Sequence, residues 1–80
     1  MKVTRININQ FLNDFQKEYQ FLYDNQDQII GYKEAVEAFD CFIENDNHKQ
    51  FIYDFVSYRK DFISSDREAA AFMFTLEKYM

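Results

Sequence analysis

The stretch HKQFIYDFVSYRKDF, from His48 to Phe62, places five aromatic rings in fifteen residues. If each residue turns a helix by about 100°, the apolar side chains of this region fall within an arc of about 160°. They are Phe51, Ile52, Phe55, Val56, Tyr58, Phe62 and Ile63. A stripe of that width is typical of an amphipathic helix, so the pattern predicts a helix over residues 48–63 that buries this face.

The same spacing of three and four residues recurs before and after this stretch, and it predicts helices over residues 8–23, 28–44 and 66–79. The positions that carry it are Ile8, Leu12, Phe15, Tyr19 and Leu22; Ile29, Tyr32, Val36, Phe39 and Ile43; and Ala69, Phe72, Met73, Leu76 and Met80. With one glycine and no proline, the chain is poor in the turn residues that sheets need. We therefore expect an all-α fold, one domain over residues 1–80 with four short antiparallel helices.

Capping signals stand at three of the predicted helix starts. Two pairs match the capping box, in which the side chain of the first residue accepts a hydrogen bond from the backbone of the fourth: Asn7 with Gln10, and Ser65 with Glu68. Asn47 is a candidate cap for the third helix. Residues 1–7 alternate like a strand but would have no strand partner, so we expect a lead-in or a helix extension.

The composition restricts how such a short chain is stabilised. A domain of this size buries only about 60% of its unfolded surface. It therefore needs dense apolar content, a disulfide or structural metal, or a binding partner. One cysteine and one histidine exclude an intrachain disulfide and the usual four-ligand zinc site. Ten Phe and six Tyr supply the apolar content instead. Because no stretch resembles a signal peptide or a membrane span, we expect a soluble, cytoplasmic protein.

The negative charge is concentrated around the second predicted helix. The net charge is −5, and residues 24–46 hold seven acidic residues against Lys33 alone. Four of the acids lie on one stripe of the helix or at its edge: Glu34, Glu37, Asp40 and Glu44. Such a chain is a poor ligand for nucleic acids or anionic membranes, and a protein with a basic surface is the expected partner. The alternative is a solvated face with a Lys33–Glu37 ion pair.

Several side chains fit the predicted helices poorly. Four apolar residues fall off the expected core faces: Phe21, Ile30, Tyr53 and Phe74. Exposed rings are typical of an interface, although a helix with neighbours on two sides would bury them. Arg59 falls among the apolar side chains of the third helix. It is expected to reach water along its stem, to pair with a carboxylate of another helix, or to contact a partner.

No spacing of residues matches a catalytic or metal-binding motif. Cys41 and His48 lie seven residues apart, and Cys41 points away from the predicted core face, so the thiol is expected to be inert. The stretch DNQDQIIGYKE, residues 24–34, has its glycine at the eighth position, where a calcium loop requires it at the sixth. We therefore expect no enzymatic activity, no metal and no cofactor.

These features favour a small acidic module that binds another protein. The leading hypothesis is a phage or mobile-element inhibitor of a host nucleic-acid-handling protein, with the acidic helix mimicking nucleic-acid charge. The origin is suggested by the excess of residues with AT-rich codons. The predicted partner-binding residues are Glu34, Glu37, Asp40, Glu44, Phe21, Tyr53, Phe74 and Arg59.

Two alternatives remain open. In the first, the chain is a structural subunit that completes its core by homo-oligomerising, for example as a homodimer. In the second, it is a helix-turn-helix-like DNA-binding regulator, in which four basic residues surround the third helix: Lys49, Arg59, Lys60 and Arg67. Three acids in the same region, Asp54, Asp61 and Asp66, weaken that alternative.

Overall fold

The computed structural model describes residues 6–25, 27–59, 63 and 65–79. Four α-helices and a short 3-10 turn make up the regular structure of these residues. They are α1 (Ile8–Asn25), α2 (Tyr32–Glu44), the 3-10 turn (Asp46–His48), α3 (Lys49–Arg59) and α4 (Asp66–Glu77). The predicted all-α fold is confirmed. No helix within the described ranges is long and apolar enough to cross a membrane.

Contacts between the helix ends show that α1 and α4 run in opposite directions. Near the start of α1, the ring of Phe11 lies 5.5 Å from that of Tyr79, just beyond the end of α4. Near the end of α1, the ring of Tyr23 lies 4.9 Å from the guanidinium of Arg67, at the start of α4. The end of α3 meets the first turn of α4 through the Arg59–Glu68 pair.

Helix α4 is central, because it packs most extensively against both α1 and α2. The predicted stripe of Ala69, Phe72, Met73 and Leu76 is buried, and Ala70, Ala71 and Thr75 are buried with it; Met80 lies outside the described residues. The three successive alanines are small, which lets neighbouring helices approach closely. The Thr75 hydroxyl donates a 2.7 Å hydrogen bond to the Ala71 carbonyl, so this buried polar group is satisfied.

The core is organised around the ring of Phe72, which is fully buried. Rings from the three other helices surround it at centroid distances of 5.0 to 5.7 Å: Phe11, Phe39, Phe42, Phe51 and Phe55. Most of these contacts are edge-to-face, the arrangement that places the positive edge of one ring on the negative face of another. A single side chain of α4 therefore connects all four helices.

The stretch from His48 to Phe62 contributes less to the core than its apolar content predicts. Phe55 is fully buried, and three further members of the predicted face are half-buried: Phe51, Ile52 and Val56. The prediction for Tyr58 is wrong, since this ring is 59% exposed. It borders a surface depression beside Ile6 and Ile8. The fully buried ring of α3 is Phe55, one turn earlier. Phe62 lies outside the described residues.

Helix α2 starts at Tyr32, four residues later than predicted. Gly31 has a φ of +85°, a left-handed conformation that does not continue into a right-handed helix. No atom lies close to the position that a Cβ would occupy there, so the backbone conformation, and not crowding, favours glycine. Helix α1 in turn extends two residues further than predicted, to Asn25.

The caps were predicted correctly at two helix starts and wrongly at the third. Asn7 Oδ1 accepts a 3.2 Å hydrogen bond from the Gln10 backbone amide. At the start of α3, Asn45, and not Asn47, supplies the acceptor, and it bonds the Asn47 amide at 2.9 Å. The error arises because a 3-10 turn precedes α3, which shifts the capping position upstream. The strand or lead-in considered for residues 1–7 lies largely outside the described residues.

The capping box of α4 is formed by Ser65. Its Oγ accepts a 3.2 Å hydrogen bond from the Glu68 backbone amide, and its hydroxyl lies 3.2 Å from Glu68 Oε1. Ser65 itself has an extended backbone, with φ −137° and ψ 156°, as a residue preceding a helix should. The first turn of the central helix is therefore closed by local hydrogen bonds.

Ser65→Ala should lower the free energy of unfolding by about 0.5–2 kcal/mol, because the Glu68 amide loses its acceptor. In a domain of this size that corresponds to several degrees in melting temperature, which thermal denaturation followed by circular dichroism measures. Ser57→Ala, the same change at an exposed position within α3, is the control and should be nearly neutral. Equal melting of the Ser65→Ala variant and the wild type would contradict the cap.

Tyr79 connects the end of α4 to α1. Its hydroxyl donates a 2.5 Å hydrogen bond to the Asp14 carboxylate, and its ring packs against Phe11. Burial, together with the hydrogen bond and the negative charge of Asp14, raises the pKa of Tyr79 to about 12. Each of these effects favours the neutral phenol over the phenolate.

The stability that Tyr79 provides should therefore decline in alkali. An unfolded tyrosine has a pKa of about 10, so above that pH the unfolded chain loses its proton before the folded chain does. The stabilisation is complete below about pH 10 and is lost progressively as the pH rises towards 12. Urea unfolding at about pH 9 and about pH 11 should show the difference between wild type and Tyr79→Phe shrinking. A constant difference for Tyr79→Phe would refute the link.

Candidate functional site

Four exposed carboxylates follow one another along α2 and form what we call the acidic row: Glu34, Glu37, Asp40 and Glu44. Their spacing of three and four residues places them on neighbouring turns of the same helix side. Two salt bridges, Arg59–Glu68 and Lys78–Glu18, form among the described residues, and neither involves the acidic row. The alternative Lys33–Glu37 pair is not formed in this part of the chain. The row is therefore solvated negative charge.

An apolar depression of about 350 Å³ lies between α2 and α3, and we call it the α2–α3 groove. It is lined by Ile43, Lys49, Ile52, Tyr53 and Val56. The ring of Tyr53 is 69% exposed, in agreement with its position off the predicted core face. Ile43 also lines a smaller depression together with Asp40 of the acidic row. Exposed apolar surface and unpaired negative charge thus adjoin each other on this side.

A second and larger depression, of about 500 Å³, lies between α1 and α4, and we call it the α1–α4 groove. Its apolar lining comes from both helices and from the turn before α2: Phe21, Leu22, Ile29, Ile30 and Phe74. The side chains of Glu18, Gln28, Glu77 and Lys78 complete it. Phe21 is 53% and Ile30 is 96% exposed. The structure therefore brings Phe21 and Phe74 together, although they are far apart in the sequence.

The ring of Phe74, which was expected to lie off the core face and be exposed to water, is less exposed than predicted. It is half-buried and packs against the core, because α4 has neighbours on two sides. Its remaining exposed surface forms part of the α1–α4 groove. Tyr53 lines a different groove, so the three rings that sequence analysis grouped belong to two separate surfaces.

Arg59 lies inside the helix assembly. Its guanidinium carbon is 4.9 Å from the ring centre of Phe15 and 5.8 Å from that of Phe55. The guanidinium pairs with the Glu68 carboxylate, and the two side chains are only 18% and 12% exposed. Of the three expectations for Arg59, pairing with a carboxylate of another helix is the one that the structure matches. The residue therefore belongs to the interior between α1, α3 and α4.

His48 and Cys41 are near each other, but they have different environments. His48 is buried and stacks on Phe42 at a centroid distance of 4.2 Å, with the rings almost parallel. Cys41 is exposed, and both residues border a depression that Met73 also lines. Within the described ranges, no three side chains of His, Cys, Asp or Glu are grouped so that they could hold a metal ion. The stacking gives His48 a packing role that its position near a helix start did not reveal.

Of the residues that line the two grooves, Phe21, Ile30, Tyr53 and Phe74 stand out in the sequence, but how they combine does not. Leu22 and Ile29 were assigned to core stripes, yet both also line the α1–α4 groove. No local signal predicts that groove, because its two walls come from the first and last helices. No protein-family model, curated protein or solved structure matches the chain significantly. Geometry and charge are therefore the basis on which a function is assigned.

Arg59→Met should destabilise the protein by roughly 3 kcal/mol, because it removes the guanidinium that pairs with the partly buried Glu68 carboxylate. The double variant Arg59→Met/Glu68→Gln should recover at least about 1 kcal/mol, since glutamine keeps the capping box and removes the buried carboxylate charge. Urea unfolding of the single and double variants measures both effects.

Lys78→Met is the matched control for this cycle. It breaks the 2.6 Å Lys78–Glu18 pair, in which Lys78 is half exposed, and should cost less than about 1 kcal/mol. If Arg59→Met proves no more harmful than Lys78→Met, the Arg59–Glu68 pair does not contribute to the core as described.

Proposed function

We propose that this protein is a binding module that docks a protein with a basic surface through the acidic row and the adjoining α2–α3 groove. The observation that carries the proposal is a row of four exposed carboxylates that is linked to a groove with an exposed tyrosine through Ile43, which lines both that groove and the depression bordered by Asp40. A nucleic-acid-handling host protein is the proposed partner class, and inhibition or modulation of that protein is the proposed effect.

The two parts of the surface would act differently during binding. Complementary charge speeds the diffusional encounter and selects basic partners, but rim charges add little net affinity once salt screens them. An exposed ring next to an apolar depression is the kind of anchor that contributes most affinity, because a partner side chain buries it. Tyr53 would therefore hold the complex, and the acidic row would accelerate its formation.

The length of the acidic row supports mimicry of nucleic-acid charge. From Glu34 to Glu44 the helix rises by about 15 Å, at 1.5 Å per residue. One strand of B-DNA carries one phosphate per about 3.4 Å of the DNA helix axis, which gives about four phosphates over the same axial length. The four carboxylates of the row therefore match the linear charge density of a single strand.

The partner can be sought by affinity purification and mass spectrometry from the lysate of a bacterium with an AT-rich genome. Glu37→Lys/Asp40→Lys should remove the specific partner, because it inverts the charge of the row. Asp27→Lys/Glu77→Lys changes the net charge by the same amount away from the row, at two exposed positions, and should retain it. Retention by both variants, or a partner without a basic surface, would contradict the proposal.

Binding kinetics with the purified partner then test the division of roles. Tyr53→Ala should mainly raise the dissociation rate, by about tenfold or more, and leave the salt dependence of association unchanged. Charge reversal in the row should mainly slow association and flatten its salt dependence. A loss of folding in Tyr53→Ala would instead identify the ring as part of the core.

The remaining hypotheses give different results in the same set of experiments. Sedimentation at several concentrations detects the homo-oligomer. A gel-shift with random DNA at low salt detects the DNA-binding regulator. For the latter, Arg59 is paired with Glu68 and Arg67 lies over the Tyr23 ring, so the side chains of these basic residues are already engaged within the fold.

A further inference from the structure

We infer that the α1–α4 groove is a second docking surface, and that it binds an amphipathic helix with a basic polar face. This inference goes beyond the proposed function, because it concerns another side of the molecule and does not depend on the acidic row. The occupant is defined by three properties of the groove: its apolar lining, the hydrogen bonding of its walls and the charge at its rim.

The apolar lining is continuous from the core to the surface. Leu22 is fully buried at the base, Phe74 and Ile29 are half-buried, and Phe21 and Ile30 stand above them. A single exposed isoleucine is ordinary, but an exposed isoleucine and phenylalanine that flank an apolar depression form a contiguous patch. Gly31, with its positive φ, follows Ile30 directly and allows the tight turn that presents it.

The walls of the groove favour a helical occupant. α1 and α4 form two sides of the groove and the turn over residues 28–30 completes it. Along the two helices the backbone groups are used in helical hydrogen bonds. An extended peptide would bury amide and carbonyl groups without partners there, whereas a helix satisfies its own. An amphipathic helix that places an apolar stripe in a groove between helices is a recurrent recognition mode.

The rim favours a basic occupant. Lys78 is neutralised by Glu18 at 2.6 Å, which leaves Glu77 as an exposed acid in the lining. Asp27 is exposed directly before Gln28, which also lines the groove. A second copy of this acidic chain, or the carboxylate of a fatty acid, would bring like charge to this rim. Lysines or arginines beside an apolar stripe would complement it.

A fluorescein-labelled model peptide of leucine and lysine tests the inference. The peptide has about 18 residues with leucines at helical spacing, and a second peptide of the same composition has them in strict alternation. Binding is measured by fluorescence anisotropy at about 0.15 M salt, a concentration that limits the range of charge effects to about 8 Å. The helical peptide should bind the wild-type protein at least about tenfold more tightly than the alternating one.

Variants on the two sides of the molecule locate the binding site. Phe21→Ala and Ile30→Ala, both at exposed side chains, should each raise the Kd about tenfold, and Asp27→Lys/Glu77→Lys should raise it as well. Tyr53→Ala removes an exposed ring from the other groove and should change the Kd by less than about twofold. Glu37→Lys/Asp40→Lys changes the net charge by the same amount as Asp27→Lys/Glu77→Lys but at the acidic row, and it should raise the Kd less than that variant does. Amide spectra of each variant check that the fold is retained.

Each contrary result identifies a different occupant or none. Equal binding of both peptides, or equal weakening by Tyr53→Ala, would overturn the inference. A homodimer in sedimentation that Ile30→Ala dissolves would assign the groove to a second copy. Displacement of the peptide by a dansylated fatty acid, with tighter binding than the peptide, would assign it to a lipid. None of these results bears on the acidic row, which is tested by its own variants.

Discussion

The packing of rings around Phe72 is the interaction on which the rest of the structure depends. A chain of 80 residues without a disulfide has a thin core, and here one side chain contacts rings from the three other helices. Edge-to-face contacts have preferred angles, so they restrict the orientation of each helix as well as its distance. Because Phe72 lies on α4, this helix is central, and the alanines beside it allow α1 and α2 to approach.

The central position of α4 also explains where polar groups enter the interior. Glu68, in its first turn, is buried, and Arg59 pairs with it through a side chain that is itself only 18% exposed. Ser65 bonds both the backbone and the side chain of Glu68, which joins the helix cap to the ion pair. At the other end, Tyr79 and Lys78 connect the helix to Asp14 and Glu18 of α1. Polar contacts thus hold both ends of the helix whose middle forms the core.

The same arrangement produces two surfaces of different chemistry. Where α3 covers the core only partly, Tyr53 remains exposed beside the acidic row of α2. Where α1 and α4 meet without a further helix above them, Phe21 and Phe74 line an apolar groove whose rim includes Glu77. The first surface is dominated by electrostatics and the second by apolar burial, so they suit partners of different kinds. The two proposed docking surfaces therefore lie on different sides of the molecule.

The sequence by itself determined what depends on neighbours along the chain. Helical spacing, the caps at Asn7 and Ser65 and the stripe of acids on α2 all follow from contacts within about four residues. The start of α2 could not be predicted from its local sequence. Glycine can adopt several backbone conformations, and the positive φ of Gly31 is only one of them. Only the tertiary structure decided which helix is central, why Tyr58 is exposed and why Phe74 is half-buried. It also decided that Phe21 and Phe74 share a groove, since a helix wheel shows which side a residue occupies but not what packs against that side.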